Sequence, residues 1–262
     1  MNSENQTEAV NPEPKPADDW ASYLDEMEGG APKIIVYGLP GVGKSTFANT
    51  TPSPVFLQFE DGLRRIKCKK SPLIKTWESV MDEFKRLASK EHPFRTVVLD
   101  TLDSLEKIIH NRVAKDNRKD SIAEIGYNKG YDYALEYWEK VTRACDILNT
   151  EKNMMILMLA HSEEQKVNPP DNEPYTRYSM AIHKEAYKYL YGWSEAVLFA
   201  KQKEYVTKTE GDFGRAIVKA VGTEERFLFT NNRPAYCAKN RFGLPLEIPF
   251  KWEEISKAVN FK

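Results

Sequence analysis

The sequence of 262 residues predicts one α/β domain with a mostly parallel sheet flanked by helices. Two observations predict this fold class. Short, nearly continuous apolar runs, typical of strands buried on both faces of a parallel sheet, alternate with segments of helical periodicity. After about residue 195, the pattern changes to closely spaced strand-like segments with Gly-containing turns. The alternation implies right-handed crossovers and a doubly wound sheet, and the later segments imply added antiparallel strands.

The elements are expected in this order along the chain. Apolar runs predict strands at 33–37, 54–59, 96–99 and 154–160, and apolar stripes at helical spacing predict helices around 77–88, 102–109 and 135–148. Further on, EAVLFAKQ, GRAIVKAV, RFLFT and AYCA are predicted antiparallel strands, and IPFKWEEISKAV is predicted to close the chain with a helix. Because no second boundary is evident after residue 31, residues 31–262 are predicted to form one domain.

The composition excludes several classes of protein. With 41% apolar and 29% charged residues and no apolar run long enough to cross a bilayer, the chain is not expected to be an integral membrane protein. The N-terminus has neither a basic region nor an apolar core of a signal peptide, so we expect a cytoplasmic protein. Three widely separated cysteines without CxxC spacing argue against a disulfide framework or a zinc site.

The net charge of −1 hides an asymmetry. Residues 1–30 hold eight acidic residues against one lysine, which leaves 37 basic and 31 acidic residues in the rest of the chain. The mildly basic body is compatible with a polyanionic partner. Residues 1–17 are expected to be disordered, whereas WASYLDEMEGG has apolar residues at helical spacing and could dock on its own domain or on a neighbouring subunit.

The most specific motif is GLPGVGKS, which fits the G-x-x-x-x-G-K-[ST] pattern after a predicted strand and before a predicted helix. Glycines let backbone N–H groups approach phosphate oxygens, and the helix N-terminus adds partial positive charge. Lys44 is expected to reach the β- and γ-phosphates, and the Ser45 hydroxyl to ligate Mg²⁺. The predicted nucleotide-binding residues are Gly38, Leu39, Pro40, Gly41, Val42, Gly43, Lys44, Ser45 and Thr46.

Two further acids end predicted strands. Asp100 follows TVVL, where a carboxylate could hold the magnesium water shell, although strand-end aspartates also cap helices. Thr101 occupies the position at which many ring-forming ATPases carry a glutamate base, so the base must come from elsewhere. Glu60 lies at the carboxyl end of a strand and is predicted to position the attacking water, with a helix cap as the alternative. Asp103 is interpreted as the first-turn acid of the next helix.

The order of GLPGVGKS, FLQFEDGL, TVVLDTLDSL and MMILMLAHS resembles the RecA-type ATPase core. It looks most like the short phage-encoded members that act in single-strand annealing or recombination, and the resemblance covers about residues 32–248. It implies ATP and Mg²⁺ as ligands and, for a phage protein, the host cytoplasm as location. His161, at a predicted strand end, matches the polar residue that senses the γ-phosphate in the family, although a structural histidine is the alternative.

The segment AKNRFGLP resembles the late basic motif with which RecA-type subunits present two cations to the ATP of a neighbour. Because bases two apart on a strand share one face, Lys239 and Arg241 could converge on one anion, and arginine suits transition-state phosphoryl charge. The alternative is an exposed turn at a solvated edge. The resemblance implies a homo-oligomer, either a ring or a filament, whose ATP sites are shared between subunits.

Two segments occupy the places where the RecA family carries DNA-contacting loops, at 115–133 and 162–184. Both mix basic residues with tyrosine, which could neutralise the backbone of single-stranded DNA and stack on its bases. The candidates are Tyr127, Lys129, Tyr131 and Arg177. Acidic residues in both segments weaken this prediction, and the alternative is surface loops whose tyrosines pack on the domain.

The sequence therefore predicts a MgATP-hydrolysing, RecA-like protein that acts on single-stranded DNA in recombination or annealing, alone or with a single-strand-binding or other recombination protein. Two alternatives stay open. One is a P-loop ATPase with a protein or packaging substrate. The other is a non-catalytic DNA-annealing module that keeps nucleotide as a structural ligand.

Overall fold

The computed structural model describes residues 30–171, 173–210, 216–259 and 261, with the backbone alone described for 204–210 and 216–223. The predicted acidic N-terminal extension, with its possible docking helix, lies outside the described residues except for Gly30. Most of the predicted turn EGDFG also lies outside them. No helix in the described part of the chain is long and apolar enough to cross a membrane.

A ten-stranded sheet forms the centre of the described structure. Its strands are β1 Lys33–Gly38, β2 Pro54–Gln58, β3 Lys69–Lys70, β4 Thr96–Asp100, β5 Met155–Val167, β6 Tyr175–Met180, β7 Ala196–Glu210, β8 Ala216–Phe229, β9 Lys239–Asn240 and β10 Glu247–Pro249. The helices are α1 Lys44–Ala48, α2 Trp77–Ser89, α3 Leu102–Asp116, α4 Lys129–Lys152, α5 Lys184–Trp193 and α6 Trp252–Val259.

The main path of the sheet runs β10-β8-β7-β1-β5-β4-β2-β3. All pairs from β7 to β3 are parallel, whereas β8 and β10 continue the sheet in antiparallel fashion. β6 pairs with β5 and β9 with β7, both antiparallel. This confirms the predicted α/β fold with added antiparallel strands.

Apolar cores cover both faces of the sheet. One core contains residues of α2, α3, α4 and α5, among them the fully buried Trp138 of α4. The other contains residues of α1 and α6. The apolar side chains of β4 alternate between the two cores, since Val97 and Leu99 face one and Val98 faces the other. Continuous burial of both faces explains why this strand is an unbroken apolar run.

The parallel register places the carboxyl ends of β1, β2, β4 and β5 at one edge of the sheet. Gly38 at the end of β1 is level with His161 of β5, and Gln58 of β2 is level with Asp100 of β4. We call this the carboxyl edge, and the opposite edge, where these strands begin, the amino edge. Ligands of open α/β folds bind at the carboxyl edge.

Several predicted elements need correction. The segment 162–184 is not a loop, because most of it forms an antiparallel β5–β6 hairpin. Within 115–133, two short 3-10 turns precede α4, which begins at Lys129. GRAIVKAV and RFLFT belong mainly to the single strand β8, and AYCA contributes only bridges at Tyr236. The short strand β3 and helix α5 were not predicted.

Candidate functional site

The P-loop, residues 38–45, connects β1 to α1 at the carboxyl edge. Gly43 has φ of 102°, in the left-handed region that disfavours residues with a Cβ atom. At Gly38 the constraint is a close approach, since a Cβ atom there would lie 2.3 Å from the backbone oxygen of Ala200 on β7. Both glycines are therefore required by the local backbone, in agreement with a loop that wraps closely around a ligand.

Lys44 and Ser45 lie side by side at the start of α1. The Lys44 side chain is 6% exposed, and its Nζ donates hydrogen bonds to the backbone oxygens of Gly38 and Leu39 at 2.9 and 3.1 Å. Burial lowers the pKa of Lys44, while the nearby carboxylates, first among them that of Asp100, oppose this effect. A buried ammonium with only carbonyl partners is well suited to an anionic ligand.

Asp100 ends β4 directly opposite Ser45. The Ser45 hydroxyl donates a 2.8 Å hydrogen bond to Asp100 Oδ2, and Asp100 is only 2% exposed. Its other oxygen, Oδ1, is buried without a hydrogen-bond partner among the described residues. Burial raises the pKa of Asp100 to about 6, although the Ser45 hydrogen bond acts in the opposite direction. The oxygen donors of Ser45 and Asp100 therefore fit Mg²⁺, which prefers oxygen ligands and retains water.

Glu60 follows β2 and faces the same space. Its Oε2 accepts hydrogen bonds from the hydroxyls of Thr101 and Ser104, each at 3.3 Å. These two donors come from the N-terminal end of α3, so a neighbouring strand-to-helix connection fixes the carboxylate. A carboxylate oriented in this way can accept a proton from water.

His161 and Asp103 form a pair next to Glu60. The backbone N–H of His161 donates to Asp103 Oδ1 at 3.1 Å, and His161 Nδ1 lies 3.0 Å from Asp103 Oδ2. This side-chain hydrogen bond raises the pKa of His161. Burial favours the neutral form of Asp103, but its hydrogen bonds from His161 outweigh burial and lower its pKa. The side chains of Glu60, Asp103 and His161 also place ligand atoms within 4.8 Å of one another, close enough to hold a metal ion.

These residues surround one cavity of about 360 Å³, which we call the P-loop cavity. It brings together the predicted phosphate, metal, base and sensor residues. The lining side chains and backbone belong to Pro40, Gly41, Gly43, Lys44, Ser45, Thr46, Glu60, Gly62, Ile66, Asp100, Thr101 and His161. The four strand ends predicted from sequence thus meet at a single site.

The late basic motif lies elsewhere. β9 pairs with the beginning of β7, where Lys239 is opposite Val197, so the motif lies at the amino edge. Lys239 Nζ donates to the backbone oxygens of Tyr191, Gly192 and Ser194 at 2.6–3.0 Å, at the C-terminal end of α5. Arg241 follows β9 with an exposed side chain. The structure does not bring these cations to the P-loop cavity of the same chain.

The four DNA candidates lie in different surroundings. Tyr127 is 98% exposed and precedes α4, whose exposed first residue is Lys129. Tyr131 is half-buried and stacks on His183 with ring centroids 3.9 Å apart. Arg177 is half-buried on β6, and its Nε is buried without a hydrogen-bond partner among the described residues. Tyr131 therefore has a packing contact inside the domain, whereas Tyr127 and Lys129 face solvent.

Two residues that the sequence does not assign to the site contact residues of the site. Asp103 was interpreted as a first-turn acid, which it is, but it also holds His161. Arg226 of β8 reaches the P-loop from the side, and its Nη1 donates to the backbone oxygen of Val42 at 3.3 Å. The position of Asp103 three residues after a strand-end acid is a weak signal, and for Arg226 the sequence carries none that we recognise.

Comparisons with known proteins identify a family and two similar proteins. A family model described as an AAA domain matches residues 31–242. The SPbeta prophage-derived uncharacterized protein YorG of Bacillus subtilis (strain 168) is 22% identical over 139 residues, which are 51% of this chain and 42% of that protein. The crystal structure of the RadB recombinase is similar with a TM-score of 0.39 and 14% identity, over 81% of this chain and 92% of that one. Because the family model covers most of the sequence, the chain belongs to the AAA domain family.

Proposed function

We propose that the chain binds MgATP at the P-loop and hydrolyses it. The observation that carries this proposal is the Ser45–Asp100 hydrogen bond beside the buried Lys44, with Glu60 facing the same cavity. Few other reactions need an anion-binding loop, a pair of oxygen ligands for a hard cation and a fixed carboxylate within one cavity.

Each side chain has a separate task in this reaction. The Lys44 ammonium would exchange its carbonyl partners for phosphate oxygens, and the P-loop amides would hold the remaining phosphate charge. Ser45 and Asp100 would hold Mg²⁺, the second through water. The cation, when bound, neutralises the charge that develops on the phosphates.

Glu60 is the residue we propose to position the attacking water. Hydrogen bonds from Thr101 and Ser104 occupy its Oε2 and fix the plane of the carboxylate. The water proton then moves toward the carboxylate as the water oxygen approaches phosphorus. We propose that the imidazole of His161, held by Asp103, contacts the terminal phosphate and reports its presence to the β5–β6 hairpin that begins next to it.

Arg241 is proposed to complete the site of a neighbouring copy. Its exposed side chain at the amino edge cannot reach the P-loop cavity of its own chain, so its action on phosphate requires an oligomer, as the resemblance to RecA-type ATPases implies. Arginine spreads transition-state phosphoryl charge over several donors. Lys239 is the second cation of the motif, but it must leave three carbonyl partners before it can do the same.

Single-stranded DNA is the proposed polymer substrate, and recombination or annealing the proposed process. The exposed Tyr127 and Lys129 lie at the start of α4, and the stacking of Tyr131 on His183 joins this region to the chain that leaves the β5–β6 hairpin. The hairpin begins next to His161 at the carboxyl edge, and Tyr127 and Lys129 follow α3, which begins at the same edge. The name of the prophage-derived relative supports a phage setting.

ATP turnover with and without single-stranded DNA tests the proposal. We expect Mg²⁺-dependent phosphate release that rises on addition of poly(dT), no nucleotide binding by Lys44→Ala, and binding without turnover by Glu60→Gln. Glu151→Gln is the matched control, because Glu151 is exposed near the end of α4. Equal rates with and without DNA would favour a protein or packaging substrate, and binding without turnover in the unaltered protein would favour a structural nucleotide.

A further inference from the structure

A second cavity adjoins the P-loop cavity on its outer side. It has a volume of about 580 Å³ and lies between α1, β8 and the start of α6. Gly43 and Thr46 line both cavities. A ligand whose phosphates lie on the P-loop can therefore continue past Thr46 into this second cavity, which we call the outer cavity.

The outer cavity has an aromatic wall. The rings of Phe47 on α1 and Phe250 stack with centroids 4.6 Å apart and an interplanar angle of 24°. Phe47 is buried, whereas Phe250 is only half-buried and lines the cavity. A partly exposed ring supported by a second ring offers a flat apolar surface on which a purine can stack.

Arg226 lies between this wall and the P-loop. A backbone hydrogen bond connects it to the aromatic wall, since the N–H of Phe250 donates to the backbone oxygen of Arg226 at 3.0 Å. Its guanidinium contacts the P-loop closely, because Nη1 would be 2.6 Å from a Cβ atom placed on Gly43. The side chain is exposed, and among the described residues its only hydrogen bond is the 3.3 Å bond to the backbone oxygen of Val42.

The unused donors of Arg226 point to an anionic ligand. A guanidinium carries five N–H donors, and a carbonyl at 3.3 Å uses only one of them weakly. Among the described residues Arg226 forms no salt bridge. A cation next to Gly43, which lines both cavities, is suited to the phosphate that is attached to the ribose. Arginine binds phosphate through paired donors, which favours this contact over water.

We propose that the outer cavity binds the nucleoside half of the nucleotide, with the base stacked on Phe250 and with Arg226 bound to the adjacent phosphate in the same chain. This inference rests on the proposed binding of MgATP at the P-loop. The inference gives two arginines different roles. Arg226 serves binding within one copy, whereas Arg241 serves hydrolysis in the next copy.

Equilibrium binding of MgATP and of magnesium tripolyphosphate to the full chain tests both contacts. Arg226→Gln is expected to weaken ATP binding by about tenfold, since one charged hydrogen-bonded contact is lost. Phe250→Leu is expected to weaken ATP binding by about fivefold while tripolyphosphate binding stays within about twofold of the unaltered protein, because tripolyphosphate has no base to stack. Arg86→Gln, at an exposed arginine of α2, is the matched control and should bind both ligands normally.

The outcomes distinguish this inference from the proposed function. If the unaltered protein does not bind MgATP, or if Lys44→Ala binds it equally well, the proposed function fails. If those two proteins behave as expected but Arg226→Gln keeps its ATP affinity within about twofold, the assignment of Arg226 is wrong. Equal losses of ATP and tripolyphosphate affinity in Phe250→Leu would overturn the stacking site. Arg226→Lys, which keeps the charge but not the paired donors, should give an intermediate loss and guards against misfolding of Arg226→Gln.

Discussion

The two edges of the central sheet differ in whether their candidate site residues meet in one cavity. At the carboxyl edge, Ser45, Asp100, Glu60 and His161 converge on one cavity. At the amino edge, Lys239 lies against the end of a helix, and among the described residues no phosphate-binding loop lies beside the exposed Arg241. The positions of β7 that are level with the two edges are four residues apart, which corresponds to roughly 13 Å along the strand. If the P-loop and the late basic motif act on one nucleotide, as proposed, they do so across two copies of the chain.

Helix α5 connects the two edges and is held differently at each end. At its N-terminus, the backbone N–H of His183 donates to both carboxylate oxygens of the buried Glu106, at 2.9 and 3.0 Å. At its C-terminus, Lys239 binds three backbone oxygens. Both contacts suit the helix dipole, with an anion at the start and a cation at the end. The partner at the N-terminus, Glu106, is buried, whereas the partner at the C-terminus, Lys239, is only half-buried.

The largest expected effect tests the division between the edges. Arg241→Ala should lower kcat for ATP hydrolysis by about 1,000-fold, because it removes a donor to transition-state phosphoryl charge. ATP affinity should change little, because the residues proposed to bind the phosphates all lie at the carboxyl edge of the other copy. Steady-state turnover together with equilibrium ATP binding measures both quantities.

Mixed assemblies provide the control for Arg241. Lys44→Ala cannot hold nucleotide but still offers its own Arg241, so adding it to Arg241→Ala should restore part of the turnover. Arg86→Gln, which changes an exposed arginine of α2, should hydrolyse ATP at the normal rate. Turnover that stays absent in the mixture would contradict a shared active site.

The next largest effect concerns the buried end of α5. Burial raises the pKa of Glu106 from 4.5 to about 7, against the effect of the His183 hydrogen bond. Because the folded protein then binds this proton more tightly than the unfolded chain, the free energy of unfolding falls as pH rises from about 4.5 to about 7. Glu106→Gln should remove up to about 3 kcal/mol of this pH dependence.

Urea unfolding at about pH 5.5 and about pH 8 should show roughly 2 kcal/mol of this pH dependence, because the remainder lies below pH 5.5. Glu151→Gln is the matched control, since Glu151 is exposed and the substitution changes the same chemical group. If Glu106→Gln and the unaltered protein lost equal stability between the two pH values, Glu106 would not be the group that titrates.

How far the sequence predicts the site depends on the range of the contacts. The P-loop, Asp100 and Glu60 were predicted because each lies at the end of a buried apolar strand, and local periodicity reveals such strands. The pairing of Asp103 with His161 joins residues 58 positions apart and has no local signature. The β5–β6 hairpin could have been found, because NPPDNEP is a strong turn signal between two polar-apolar segments. The capping role of Lys239 depends on α5, which was not predicted.

Asp103→Asn is expected to have a smaller effect at the carboxyl edge. The asparagine oxygen can still accept from the His161 backbone, but its NH₂ group would face Nδ1 and favour the other imidazole tautomer. Turnover should fall by roughly 10-fold to 100-fold with ATP affinity little changed, as for other residues that orient a functional histidine.

The pKa of His161 supplies a readout that general damage to the fold would not produce. The Asp103 hydrogen bond raises this pKa, so NMR titration of the imidazole should show a lower value in Asp103→Asn. Asp82→Asn changes an exposed aspartate on α2 and should leave both turnover and the titration unchanged. Normal turnover in Asp103→Asn would show that the orientation of His161 does not matter for hydrolysis.

The smallest expected effect tests whether Lys239 acts in hydrolysis or only stabilises the fold. Lys239→Met keeps most of the side-chain length but removes the donor to Tyr191, Gly192 and Ser194 at the end of α5. Because the site is partly exposed and water can replace the ammonium, we expect the free energy of unfolding to fall by only about 1 kcal/mol, measured by urea unfolding. At a protein concentration high enough for full assembly, ATP turnover should stay within about threefold of normal, which corresponds to a change of less than 1 kcal/mol in the activation free energy. A loss of turnover as large as that of Arg241→Ala would instead mean that Lys239 leaves the helix end in the assembled state, and that the amino edge rearranges when two copies meet.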